Sequence, residues 1–155
     1  MSHCLIVELS EEPIDIDERV TAYEFEDDDD IQYAADYVQD LDEYGRTYEE
    51  AVEDFLGELG DVVTYDKGDN SITFNDIEKY FEEDFNKVKD MVANVTMEKF
   101  INGSWVYDLK NHICDRFGTY IYHTGECSYP LAEFIRDYAR NGSKFYIGGI
   151  CDYHC

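Results

Sequence analysis

The chain has 155 residues, room for one domain or two very small ones, and its 14 Tyr and 9 Phe mark a folded core rather than an aromatic-poor disordered tail. Its 37 acids against 12 bases give a formal net charge of −25, a sign that repels nucleic acid and membrane surfaces. No stretch approaches the ~20 apolar residues of a membrane span, and CLIVEL is too short and lacks a basic region for a signal peptide, so a cytoplasmic setting is expected.

In chain order, CLIVEL (4–9) reads as a buried strand. ERVTAYEF (18–25) alternates Val20 and Ala22 with polar residues and reads as a second strand. Asp27–Asp30 then open a helix, because acids in a first turn suit the positive end of the helix dipole. Ile31, Ala34, Ala35, Val38 and Leu41 supply its apolar stripe, and Gly45 ends it. Thr47 caps a second helix with Glu50 as capping-box partner. Ala51, Val52, Phe55, Leu56 and Leu59 form its buried face, and Gly60 stops it.

DVVTYDKGDNSITF (61–74) reads as a β-hairpin turning at Lys67–Asn70. Asn75, with Glu78 three residues on, caps a third helix that runs to about residue 93. TMEKFING is a short helix stopped by Gly103. SWVYDLKNHICDRFG (104–118) places Trp105, Leu109, Ile113 and Phe117 at helical spacing. TYIYHTG (119–125) reads as a strand. YPLAEFIRDYARNG is a helix with Pro130 at its start and Gly142 after its end. KFYIGGICDYHC closes the chain with one or two strands, its glycine pair marking a bend. The fold class is α+β: a small antiparallel sheet or hairpin under acidic amphipathic helices.

Charge divides this chain unevenly. Residues 1–98 hold 31 acids and 6 bases, and residues 99–155 hold 6 of each, so the first region carries the whole excess. A soft boundary falls near residues 94–103, with the two regions expected to pack as one unit. Residues 24–45 alone carry ten acids and no lysine or arginine, yet also Phe25, Tyr33, Tyr37 and Tyr44. Adaptation to salt would spread acids over the whole surface, so this asymmetry points to a directed negative face.

Carboxylates three or four apart on a helix lie roughly 5–6 Å from one another on one face and repel. Asp29, Asp36, Asp40 and Glu43 have that spacing, as do Glu49, Glu50, Glu53, Asp54 and Glu58, and Glu78, Glu82, Glu83 and Asp90. The spacing is comparable with the phosphates of a DNA strand, about one charge per 3.4 Å of axis. Three packed helices with such faces would resemble a nucleic-acid backbone and attract a basic groove. With Glu26, Asp27, Asp28, Asp30 and Asp42 from the intervening run, these acids are the candidate partner-binding residues. The plain alternative is a set of solvated helix faces. An EF-hand reading of 40–51 fails, because Tyr44 and Ala51 stand where ligands are required.

The last third gathers cysteine and histidine. His123, Cys127 and Cys151, with Cys155 or His154, are the best zinc candidates, but no ordinary zinc pattern matches. No cofactor is therefore assigned, and the five cysteines are read as thiols with incidental histidines. No phosphate-binding loop, G-x-S-x-G or H-E-x-x-H is present, and no enzyme is expected.

This small, acidic, tyrosine-rich and lysine-poor chain resembles the DNA-mimic proteins of phages and mobile elements, anti-CRISPR and antirestriction inhibitors. Within residues 119–149, Thr124, Gly125, Leu131, Phe134, Ile135, Asp137 and Tyr138 resemble an ArdA-type segment with its Thr-Gly turn. The resemblance implies stoichiometric binding to the basic DNA-binding groove of a CRISPR effector or restriction enzyme in a host bacterial cell. It implies no catalysis and no direct contact with nucleic acid or membrane. An acidic module sequestering a basic protein without nucleic-acid function is the alternative, a zinc-stabilised enzyme or adaptor built on the last third is a third reading, and the neutral last third leaves room for a homodimer contact.

Overall fold

The computed structural model describes residues 3–113, 117–124 and 127–155. In chain order the elements are β1 (His3–Ser10), α1 (Asp29–Ala34), β2 (Tyr37–Asp40), α2 (Tyr48–Leu59), β3 (Val63–Asp66), β4 (Ser71–Phe74) and α3 (Ile77–Ala93). Then come α4 (Met97–Asn102), α5 (Ser104–Asn111), β5 (Tyr120–His123), β6 (Ser128–Pro130), α6 (Leu131–Tyr138) and β7 (Lys144–His154). The fold is α+β, but the sheet is mixed and seven-stranded, larger than the small antiparallel sheet expected. Its order is β3-β4-β7-β1-β5-β6, with β2 also on β7, and β1–β5 is a parallel pair.

The strand expected at the end of the chain is a single one, β7, and it organises the sheet. β1 pairs along it, while β4 takes Lys144–Tyr146 and β2 takes Cys151–His154. Between the pairs Val7–Ile150 and Leu9–Ile147, β7 holds one residue more than β1, so Gly148–Gly149 lie in a β-bulge. Both glycines are required by close approach. A Cβ on Gly148 would collide with the Glu8 carboxylate, and one on Gly149 would collide with the Val20 carbonyl oxygen. Buried Glu8 accepts the Val20 and Gly149 N–H groups at 3.0 and 2.7 Å.

Alternation along β1 builds two cores. Leu5, Val7 and Leu9 pack with Ala51, Val52, Phe55 and Leu59 of α2 and with Leu131, Phe134 and Ile135 of α6. Ile6, with Cys151 and Tyr153, packs on the opposite face against Phe25 and against Ile31 and Ala34 of α1. Strands of the acidic first region and the neutral last third thus share one sheet.

Two expected elements are corrected. Residues 18–25 do not form a strand: one 3-10 turn, Ile16–Glu18, ends where they begin, and a second, Ala22–Phe25, closes them. Side-chain carboxylates satisfy this backbone in place of a neighbouring strand: Glu8 takes Val20 N–H, Glu24 takes Thr21 N–H, and Asp40 takes Ala22 N–H. The helix expected from Asp27 to Gly45 stops at Ala34, and Tyr37–Asp40 becomes β2. The open edge of β7 offers residues 37–40 a hydrogen-bonded ladder, while Val38 still reaches the core.

Smaller differences concern helix ends. The cap of α3 is Asp76, whose side chain accepts Lys79 N–H at 3.1 Å, rather than Asn75, which bonds Thr64. α5 ends at Asn111, short of the expected 118, and residues 114–116 lie outside the described residues. The strand β6 adds to the expected elements. The capping box of α2, the hairpin, the stop at Gly103 and the helix after Pro130 form as the sequence predicts.

Candidate partner-binding surface

The acidic run 26–43 borders an open cleft of about 680 Å³ between the second 3-10 turn, α1 and β2. Buried Phe25 and Ile31 help line it together with Glu26, Asp36, Glu43 and the exposed rings of Tyr23 and Tyr37. These residues meet through tertiary folding and not as one helix face, because Asp36 lies in the bend after α1 and Asp40 belongs to β2. The single-face spacing expected for Asp29, Asp36, Asp40 and Glu43 is therefore overturned.

Several of the candidate acids hold the fold. Asp28 caps α1 and accepts a hydrogen bond from Ser128 at 2.7 Å. Asp40 accepts Ala22 N–H at 2.8 Å and the Cys151 thiol at 3.8 Å. Asp42 accepts Glu43 N–H at 3.1 Å. Asp36 lies 3.5 Å from the ring of buried His154. The carboxylates of Glu26, Asp27, Asp29, Asp30 and Glu43 make no hydrogen bond or ion pair among the described residues.

The acids of α2 belong to the other side of the sheet. Glu50 accepts both Thr47 N–H and Thr47 O–H, and these bonds lower its pKa below the ordinary glutamate value. Arg46 pairs with Asp54, and Glu58 accepts the Thr119 hydroxyl at 2.6 Å. Glu49 and Glu53 remain exposed and make no such contact among the described residues. On α3, Glu83 pairs with Lys87 at 2.6 Å, while Glu78 and Glu82 are exposed. Because α1 and α2 pack on opposite faces of the sheet, the acids do not form the one layer of three packed helices that their spacing predicts.

The candidate zinc residues are separated in the same way. His123 packs against Phe134, Tyr138 and Phe145 on the α2–α6 side and lies 2.9 Å from Glu11. Burial raises the Glu11 pKa, but its contacts with His123 outweigh that and hold it below the ordinary value. Cys151 and Cys155 pack on the opposite face with Ile6 and Phe25, and Cys127 is exposed. Burial, with Asp40 beside it, pushes the Cys151 thiol far up and leaves it unreactive. Among the described residues no group of three or more His, Cys, Asp or Glu could hold a metal, and no disulfide forms. Cys114 lies outside the described residues.

A polar cluster at the end of the sheet adds to the residues that sequence reasoning singles out. Fully buried Asp152 accepts from His3 at 2.7 Å and lies 3.6 Å from Arg46. His3 packs on Tyr44, and His154 stacks on Tyr37 at 5.0 Å. Its one signal in the sequence is an acid inside an otherwise apolar strand, since Asp152 interrupts the β7 pattern. Of the ArdA-like segment, Leu131, Phe134 and Ile135 are buried in the core, Tyr138 is partly buried, Thr124 and Asp137 are exposed, and Gly125 lies outside the described residues. No described helix is long and apolar enough to cross a membrane. No family model, no curated protein and no solved structure matches the chain.

Proposed function

We propose that the protein is a non-enzymatic inhibitor whose acidic surface occupies the DNA-binding groove of a host defence nuclease, a CRISPR effector or a restriction enzyme. One observation carries this reading: the whole net charge of −25 falls within residues 1–98. Within that region the carboxylates of Glu26, Asp27, Asp29, Asp30 and Glu43 belong to the run bordering one cleft and have no partner among the described residues. Uncompensated like charge costs stability, so its retention in one region calls for a compensating basic surface.

The 22–43 side is the contact we favour. Its exposed Tyr23 and Tyr37 add ring faces on which an arginine can stack, beside carboxylates it can bind. Arginines and lysines that normally hold phosphates would meet carboxylates here, with fast, salt-sensitive association.

The test is capture of nucleases from bacterial lysate on the tagged protein, followed by competition with duplex DNA. The expected result is a DNA-targeting nuclease, released by salt and competed by DNA. A fourfold reversal of Glu26, Asp27, Asp30 and Glu43 to Lys should weaken its inhibition by roughly 100-fold or more, since like charges across an interface cost several kcal/mol. These four are chosen because none supports the fold through a side-chain bond among the described residues. A folded reversal variant that inhibits normally would remove this surface from the mechanism. Capture of a basic protein without nucleic-acid function would favour sequestration instead.

A further inference from the structure

The helices α3, α4 and α5 have no buried residue among those described, unlike α2 and α6. They pack on one another, with Phe100 of α4 stacked on Trp105 of α5 and Asp84 of α3 within 3.2 Å of His112. Arg136 of α6 fixes the base of this arm, its guanidinium 5.4 Å from the Phe81 ring and donating to the Ile113 carbonyl. From the turn after Phe81 outward, Phe85 (61%), Val92 (53%), Met97 (73%), Phe100 (63%), Ile101 (76%) and Tyr107 (71%) are exposed. Six such side chains present on the order of 700 Å² of surface. Summed, that is near the ~800 Å² each partner gives to a standard interface.

Charge decides what covers them. The arm from Ile77 to Asn111 holds five lysines (Lys79, Lys87, Lys89, Lys99, Lys110) against seven acids (Glu78, Glu82, Glu83, Asp84, Asp90, Glu98, Asp108), close to balance in a chain of net charge −25. A basic groove that fits the acidic cleft would find little net charge to hold it on this arm. Two copies of a chain with net charge −25 repel each other strongly over their acidic surfaces, but only weakly through a segment whose charges nearly balance. A two-fold contact would place the same apolar side chains of both copies against each other.

We propose that the α3–α5 arm is a homodimer interface, joining two copies with their acidic clefts left open. This inference stands apart from the nuclease reading, because its test uses the protein alone. Sedimentation of the full chain over a concentration series should show a dimer that tightens as salt rises, since screening removes repulsion between the copies. Binding of a basic partner should respond to salt in the opposite direction.

Phe100→Ser with Ile101→Ser should weaken the dimer roughly 100-fold or more, as loss of central apolar anchors does. Lys99→Glu with Lys110→Glu is the companion variant. Both lysines are exposed, so the fold is untouched, and added like charge should weaken the dimer roughly tenfold or more. A wild-type chain that stays monomeric at every concentration and salt would overturn the proposal and give the arm to a different protein. So would a dimer that neither variant weakens.

Discussion

Gly149 shows how much of this fold depends on one missing methyl group. Its neighbour across the gap is the backbone of Val20, which cannot rotate away as a side chain would. Gly149→Ala should cost about 1–3 kcal/mol, the usual range for overpacking, read from urea denaturation. Gly57 makes the matching control, because it lies in α2 with nothing within 4 Å of an added Cβ. Gly57→Ala should stabilise by about 0.5–1 kcal/mol, and equal effects of the two substitutions would refute the crossing at Gly149.

Glu50 is the residue at which charge serves local structure. The Thr47 backbone and hydroxyl bonds favour its ionised form, so its folded pKa lies below the ordinary value of 4.5. A depressed carboxylate adds stability above its unfolded pKa and loses it as pH falls through the lower folded value. NMR titration should therefore find Glu50 below 4.5 in the wild type and returned toward it in Thr47→Ala. An unchanged value in the variant would contradict the capping box.

Among the elements, α2 and the 27–45 segment make the instructive contrast. Thr47, Glu50 and the stripe Ala51, Val52, Phe55 and Leu59 agree at every level, and the helix forms where the sequence places it. In 27–45 the apolar positions also fit a helix, but two different structures share them. Ile31 and Ala34 are buried from α1, whereas Val38 is partly buried from β2. Hydrogen bonds to β7 outweigh the extra helical turns. A single stretch of sequence does not contain that partner strand, whose nearest pairing, Asp40 with Cys151, spans 111 positions.

The start of α3 gives the element-scale prediction. Asp76 accepts the Lys79 N–H, while Asn75 only bridges to Thr64. Asp76→Ala should destabilise by about 1 kcal/mol and Asn75→Ala by clearly less, measured as shifts in the urea midpoint. The reverse order would restore Asn75 as the cap. One residue separates the two readings, and both are good capping residues, so only the local backbone distinguishes them.

For the whole molecule, self-repulsion is the largest electrostatic effect. Net charge of −25 on 155 residues opposes the compact state, and neutral salt screens it. Raising chloride from about 0.01 M to 1 M shortens the screening length from about 30 Å to 3 Å and should raise Tm. Each kcal/mol of repulsion relieved is worth about 2–4 °C for a chain of this size. A Tm that falls or stays level in a thermal scan would mean that the acids are already compensated within the fold.

Local sequence was enough for the α+β class, the hairpin, the capped helices and the confinement of charge to the first two thirds. These follow from short-range periodicity, capping chemistry and simple counting. Long-range packing alone puts residues 37–40 on β7, lets the chain cross the sheet at Glu8 and the glycine pair, and turns the acids of α1 and α2 opposite ways. Each of these rests on partners far apart in the chain, where burial and hydrogen-bond satisfaction override local pattern. The exposed arm was hidden for a related reason: an apolar stripe reads the same whether its own fold covers it or leaves it bare.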